Sequence, residues 1–201
     1  MSQKQLFLRR SLFPRFRADQ KTAEILLLLE LIAREPPRFI FEIGSAQCGT
    51  LFLLARVCAP EARIISIGLR ISWVRSLIHE RIAGRKQRVF CIRGDSGSLK
   101  TIERVKAILG RKELDCLFVD GEYSLSGVAA DFQNYSPLVR LGGIIAFHDI
   151  VPDHGARFGA QTQAYTRAVP TSWSTLSLNF KSKPFVENAD QDVYGLGVMF
   201  R

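Results

Sequence analysis

Five apolar, β-favouring runs, separated by stretches with helical patterning, constrain this chain more than any other feature. They cover residues 39–43, 63–67, 88–92, 114–119 and 143–147, and they are close to continuously apolar rather than alternating. A strand with one face in water alternates; a strand covered on both faces does not. Stretches 49–59, 71–83, 98–109 and 124–135 between the runs repeat their apolar residues at helical spacing, and Gly84 and Gly110 follow two of them as stop signals. Strand and helix in alternation predict a mostly parallel sheet with helices on both faces.

The ends of the chain extend this pattern. Residues 1–37 read as a basic helical lead-in, with Asp19 placed to cap a helix over 19–34 and Pro36-Pro37 placed to stop it. Residues 38–201 then form the main domain. Beyond Asp149 the pattern loosens, and Pro152, Gly155 and Gly159 mark a loop or lid before a helix near 160–168. Residues 173–180 and 192–200 read as two last strands, an antiparallel hairpin at the sheet edge, which brings the sheet to seven.

A length of 201 residues with 47% hydrophobic and 23% charged composition fits one globular core and excludes a disordered chain. No apolar run is long enough to span a bilayer, because Glu24 and Glu30 interrupt the best candidate. No secretory leader is recognisable, so the expected compartment is the cytoplasm. Cys48, Cys58, Cys91 and Cys116 lie inside apolar patterns without a C-x-x-C pair, which predicts buried reduced thiols and no zinc site. The net charge of +9 concentrates at Arg9, Arg10, Arg15 and Arg17 and again at Arg81, Arg85, Lys86 and Arg88. Such patches suit nucleic acid or anionic substrates, yet they equally describe a solvated basic surface, and they belong to no recognised nucleic-acid motif. An apolar lead-in helix also leaves a homo-oligomer open.

Chemistry concentrates at the carboxyl ends of the runs, where open α/β sheets bind their ligands. The first run ends in Glu42, Gly44 and Ser45, and Gly49 opens the following helix. A glycine at the turn lets the backbone approach a ligand, and the free N–H groups of the helix start favour electron-rich groups. The pattern lacks the second close glycine of a dinucleotide fingerprint, since Ser45-Ala46 occupies that place. The other ends carry Gly68, Asp95-Ser96, Asp120 and His148-Asp149. If the fourth and fifth strands are neighbours, Asp120 and Asp149 lie about 5 Å apart and can share one cation.

These residues resemble class I S-adenosylmethionine-dependent methyltransferases. Phe118-Val119-Asp120-Gly121-Glu122-Tyr123, Asp131 and Leu141-Gly142-Gly143-Ile144-Ile145-Ala146-Phe147-His148-Asp149 are similar to the small metal-dependent O-methyltransferases of the cephalosporin-hydroxylase and macrolide-sugar methyltransferase type. Residues 60–67 resemble the second strand of catechol O-methyltransferase-like enzymes. The resemblance implies a Rossmann-like seven-stranded fold and methyl transfer to a hydroxyl of a small molecule or sugar. It places the methionine and ribose parts of S-adenosylmethionine at Glu42, Gly44, Ser45, Gly49 and Gly68, and the adenine near Asp95 and Ser96. It makes Asp120, His148 and Asp149 ligands of Mg²⁺, with Asp120 also beside the cofactor and His148 an alternative general base. Two positions depart from the family. Gly68 stands where a ribose-binding acid is usual, and Tyr123 stands where a catalytic histidine is usual. Those departures keep a second expectation alive, a methyltransferase-like binding or scaffold domain without turnover. The charge keeps a third, methylation of nucleic acid.

Overall fold

In the computed structural model the described residues are 20–45, 48–69, 71, 83–122, 124–151, 163–188, 190–191 and 194–201. The elements run α1 (Thr22–Ile32), β1 (Phe39–Ile43), α2 (Gly49–Val57), β2 (Arg63–Gly68), β3 (Arg88–Arg93), α3 (Leu99–Leu109) and β4 (Leu114–Val119). They continue with α4 (Leu125–Tyr135), β5 (Val139–His148), α5 (Gln163–Leu176), β6 (Lys181–Phe185) and β7 (Leu196–Phe200). The seven strands form one sheet in the order β3-β2-β1-β4-β5-β7-β6. The first five strands are parallel, and β7 runs antiparallel to both β5 and β6. Strand order reverses between β1 and β4, so a crevice opens at their carboxyl ends.

Successive side chains of a strand go to opposite faces, and here both faces are core. Ile40, Ile64, Cys116, Ala146 and Val198 join Leu28, Leu29 and Leu54 of α1 and α2 in one cluster. Phe41, Ile65, Leu117, Ile145 and Met199 join residues of α3, α4 and α5 in the other. That division is the physical reason the runs are continuously apolar. Two helices begin at serine caps, where Ser98 Oγ accepts from the N–H of Thr101 and Ser124 Oγ accepts from the N–H of Gly127.

Two expectations need correction. Residues 173–180 do not form a strand: α5 runs to Leu176, a 3-10 turn covers Ser177–Asn179, and the strand starts at Lys181. Val169 and Trp173 are buried one turn apart and Leu176 packs beside them, so helical spacing overrides the β preference of Trp and Thr. The strand β6 is an edge strand, which accommodates Pro184. Second, α1 starts at Thr22 with Lys21 at the cap position and no side-chain cap. Asp19 and the rest of the lead-in lie outside the described residues. The predicted helix over 71–83 and the lid after Val151 also lie outside them, apart from Ile71, Ala83 and residues from Gln163 on. All four cysteines are free thiols. Among the described residues, no helix is long and apolar enough to cross a membrane.

The helix α1 packs as core: Ile25, Leu28, Leu29 and Ile32, at i, i+3, i+4 and i+7, are all buried. We expect Leu28→Ala to lower the unfolding free energy by about 2–5 kcal/mol. Half-exposed Leu27→Ala should change it by less than about 0.5 kcal/mol. Urea denaturation followed by circular dichroism measures both. A small effect at Leu28 would show that α1 is merely appended.

Candidate active site

Register builds the site. Glu42 pairs with Ser66 of β2 and with Phe118 of β4, and Phe118 pairs with Ala146 of β5. Because faces alternate, Glu42, Ser66, Asp120 and His148 all leave the sheet on the face covered by α1 and α2. A polar row thus runs across the carboxyl ends of β2, β1, β4 and β5, directly beyond apolar core. Within it Ser66 Oγ donates to Glu42 Oε2 at 3.0 Å, and His148 Nδ1 lies 3.0 Å from Asp120 Oδ1.

The glycine turn closes over this row. The N–H groups of Gly44 and Ser45 both donate to the Ile67 carbonyl at 2.9 Å, and the Asp120 N–H donates to the Ile43 carbonyl at 2.9 Å. Gly44 has φ +101°, and a Cβ there would sit 1.9 Å from the Asp120 carbonyl oxygen. No other residue fits. Gly68 is also confined, since a Cβ would lie 2.9 Å from the Ser45 carbonyl oxygen and 3.2 Å from Ile71 Cγ1. An acid at the end of β2 would therefore push the turn away, which explains the departure at Gly68 in steric terms. Between these segments lies an open cavity of about 400 Å³, bounded by Gly44, Ser45, Gly68, Asp95, Ser96 and Asp120.

Asp120 also belongs to a second arrangement. Its carboxylate, His148 Nδ1 and the Asp149 carboxylate bring one ligand atom each within 4.8 Å of one another. Asp149 Oδ2 is 3.3 Å from His148 Nδ1, and Asp149 holds φ +61°, a left-handed conformation that Asp tolerates. His148 is only 2% exposed and its Nε2 is buried, so Nδ1 is the ring edge that meets the carboxylates. Two carboxylates and an imidazole make a donor set suited to a divalent cation.

Several residues of the site carried no motif. Gln20, before α1, donates from Nε2 to Asp120 Oδ2 at 3.1 Å, and Thr50 Oγ1 donates to Gln20 Oε1 at 3.0 Å. Glu24, one turn further along, is fully buried and accepts from the Gly195 N–H at 3.2 Å and from Gln191 Nε2. Tyr194 beside Gly195 places its ring 5.8 Å from that of His148. The sequence did hold a signal: Glu24 is four residues before Leu28 and so falls on the apolar stripe of α1, where a carboxylate must be buried.

Burial shapes the titration of these groups. Glu42 is pushed up to about 7 by burial, with the Ser66 hydrogen bond opposing and the nearby Asp120 charge adding. Glu24 is raised by burial, against its hydrogen bonds from Gln191 and Gly195. Asp131, beneath the Asp95-Ser96 turn, is pushed up to about 6 by burial, with a hydrogen bond from Ser96 opposing. Tyr135 fixes the same turn, its hydroxyl donating to the Ser96 carbonyl at 2.6 Å.

The predicted site residues therefore divide by position. Gly44, Ser45, Gly68, Asp95, Ser96 and Asp120 border the cavity, and Asp120, His148 and Asp149 form the cluster at its β4 side. Glu42 lies buried beneath the cavity, and Gly49 is buried at the start of α2 without bordering it. Tyr123 lies outside the described residues.

Residues 41–150 match the family model described as a methyltransferase domain. The chain belongs to that methyltransferase family. A search of curated protein sequences finds no match. Solved structures share the fold of this methyltransferase. An O-methyltransferase from Bacillus cereus in complex with SAH superposes with TM-score 0.69 at 15% identity, covering 100% of this chain and 92% of that one. The O-methyltransferase TomG of Streptomyces achromogenes, involved in tomaymycin synthesis and in complex with SAM, gives 0.66 at 16% identity over 100% and 90%.

Glu42 gives this methyltransferase a testable pH signature. The folded protein keeps Glu42 protonated to about pH 7, whereas an unfolded chain ionises it near the ordinary 4.5. The native state therefore binds more protons in that window, and stability falls as pH rises through it. Glu42→Gln removes the loss. Its stability advantage over the parent should be smallest at pH 4.5 and grow to about 3 kcal/mol by pH 8, from urea midpoints at each pH. An advantage that does not change with pH would place the Glu42 proton elsewhere.

Proposed function

We propose that the protein is an S-adenosylmethionine-dependent O-methyltransferase that acts on a hydroxyl of a small molecule or sugar with the help of a divalent cation, Mg²⁺ in the first instance. One observation carries this reading: Asp120 is at once a wall of the cavity and a member of the three-residue cluster. A methyl donor in the cavity and a cation on the cluster would then be neighbours across one side chain. The bound SAH and SAM of the B. cereus enzyme and of TomG support the choice of donor.

The residues fit both groups. Gly44 and Gly68 border the cavity without side chains, so the wall they offer an S-adenosylmethionine is backbone. Asp95 and Ser96 border the same cavity and offer acceptors for an adenine amino group. When bound, S-adenosylmethionine supplies an electrophilic sulfonium methyl. A divalent cation on the cluster supplies positive charge that lowers the pKa of a nearby hydroxyl. The chain's own contribution is placement and charge. Asp120 and Asp149 fix two oxygen donors, and their shared neighbour His148 turns Nδ1 toward both. On the cation His148 would offer the Nδ1 lone pair; free of it, the Nδ1–H would donate to Asp120 and hold that carboxylate in place, and the proton leaving the acceptor hydroxyl would pass to the Asp149 carboxylate and on to solvent. The free thiols agree with a reducing compartment, the cytoplasm.

Calorimetric titration with SAH, with and without Mg²⁺, tests the donor. Binding in the micromolar range is expected; none under any condition would leave a methyltransferase fold without the activity. Asp120→Asn tests the cation. It should lower Mg²⁺ affinity by more than the roughly 10–100-fold that an outer-shell partner is worth, and leave SAH affinity within about threefold. Equal losses of both would make Asp120 structural.

A further inference from the structure

We propose that Gln20 is a positioning residue for the cation centre, holding Asp120 in place from the Thr50 end of the cofactor turn; the inference rests on the functional reading above. Gln20 lies outside residues 41–150, the part of the chain that carries the family match. It is nevertheless 8% exposed and satisfied on both sides of its amide. Its Nε2 donates to Asp120 Oδ2 at 3.1 Å, while its Oε1 accepts from Thr50 Oγ1 at 3.0 Å.

The consequence is geometric. A carboxylate at a strand end has a free χ2 rotation that turns its plane at little cost. Gln20 takes Oδ2, so Oδ1 is left in the cluster 3.0 Å from His148 Nδ1. Thr50 is the second residue of α2, directly after the turn that borders the cavity. Glu24 in the first turn of α1 accepts from the Gly195 N–H, so the helix that directly follows Gln20 is tied to the start of β7. Groups that hold a metal ligand by hydrogen bonding tune both its orientation and its basicity, and losing one weakens metal affinity about 10–100-fold. Gln20 has that relation to Asp120, from a segment that joins the site only through tertiary packing.

The test needs no acceptor substrate. Mn²⁺ affinity is measured by electron paramagnetic resonance and SAH affinity by calorimetry, on the parent chain, Gln20→Ala, Thr50→Val and Thr50→Ser. We expect Gln20→Ala to lose about 10–100-fold in Mn²⁺ affinity while SAH affinity stays within about threefold. Thr50→Val should move Mn²⁺ affinity in the same direction by less, and Thr50→Ser, which keeps the hydroxyl, should restore it. Unchanged Mn²⁺ affinity in Gln20→Ala overturns the inference. So does a loss of Mn²⁺ and SAH affinity in proportion, or a Thr50→Val protein that matches the parent. If Gln20→Ala does not fold, the Thr50 pair decides, because both variants keep the Gln20 side chain. A parent protein that binds SAH but no Mn²⁺ would sink the cation part of the functional reading and this inference with it. Mn²⁺ binding that is indifferent to Gln20 sinks the inference alone.

Discussion

The site depends on a close contact between two backbones. At the reversal of strand order, Gly44 passes so near the Asp120 carbonyl that a single added carbon would lie 1.9 Å from it. That contact is possible only because β1 and β4 are parallel neighbours in register to their last residues, Ile43 opposite Val119. Everything beyond the strands follows from it. The turn folds back onto the Ile67 carbonyl, the cavity opens between the turn and β3, and Asp120 stands between the cavity and the cation cluster.

The polar row beneath the turn is an unusual load for a core. Glu42, Ser66 and His148 are all nearly excluded from water, on a face otherwise filled with Ile, Leu and Phe. Their burial is tolerable because the row is hydrogen bonded within itself, Ser66 to Glu42 and His148 to Asp120. The same burial keeps Glu42 protonated near neutrality, which limits the negative charge packed under the cavity. Glu24 on α1 and Gln20 just before it extend the row. A helix that belongs to the core by its Leu and Ile residues belongs to the site by its first turn.

Much of this was legible in the sequence. Continuous apolar runs announced a sheet covered on both faces, and polar residues at their ends marked where chemistry collects. Those signals are local, one run and one turn at a time. What the sequence did not disclose depends on partners far away along the chain. The steric reason for Gly68 lies in Ser45 and Ile71, and the role of Gln20 lies in Asp120, 100 residues on. Residues 173–180 were misjudged because Trp and Thr favour strands, while the spacing of Val169, Trp173 and Leu176 favours a helix that a groove on the sheet can receive. Tertiary packing decided between two weak local preferences.

The antiparallel direction of β7 has a kinetic consequence. Because β7 runs against its neighbours, its beginning rather than its end reaches the catalytic side, and Tyr194 and Gly195 arrive beside His148 there. Glu24 then bonds to Gly195 across 171 residues of sequence. So long a loop closes late, after the contacts of shorter span have formed. On a ribosome the parallel part of the sheet can assemble from the residues already emerged, whereas α1 packs on β6 and β7 as well as on α2. The carboxylate of Glu24 would have to wait, buried or wet, until nearly all of the chain described here had been made.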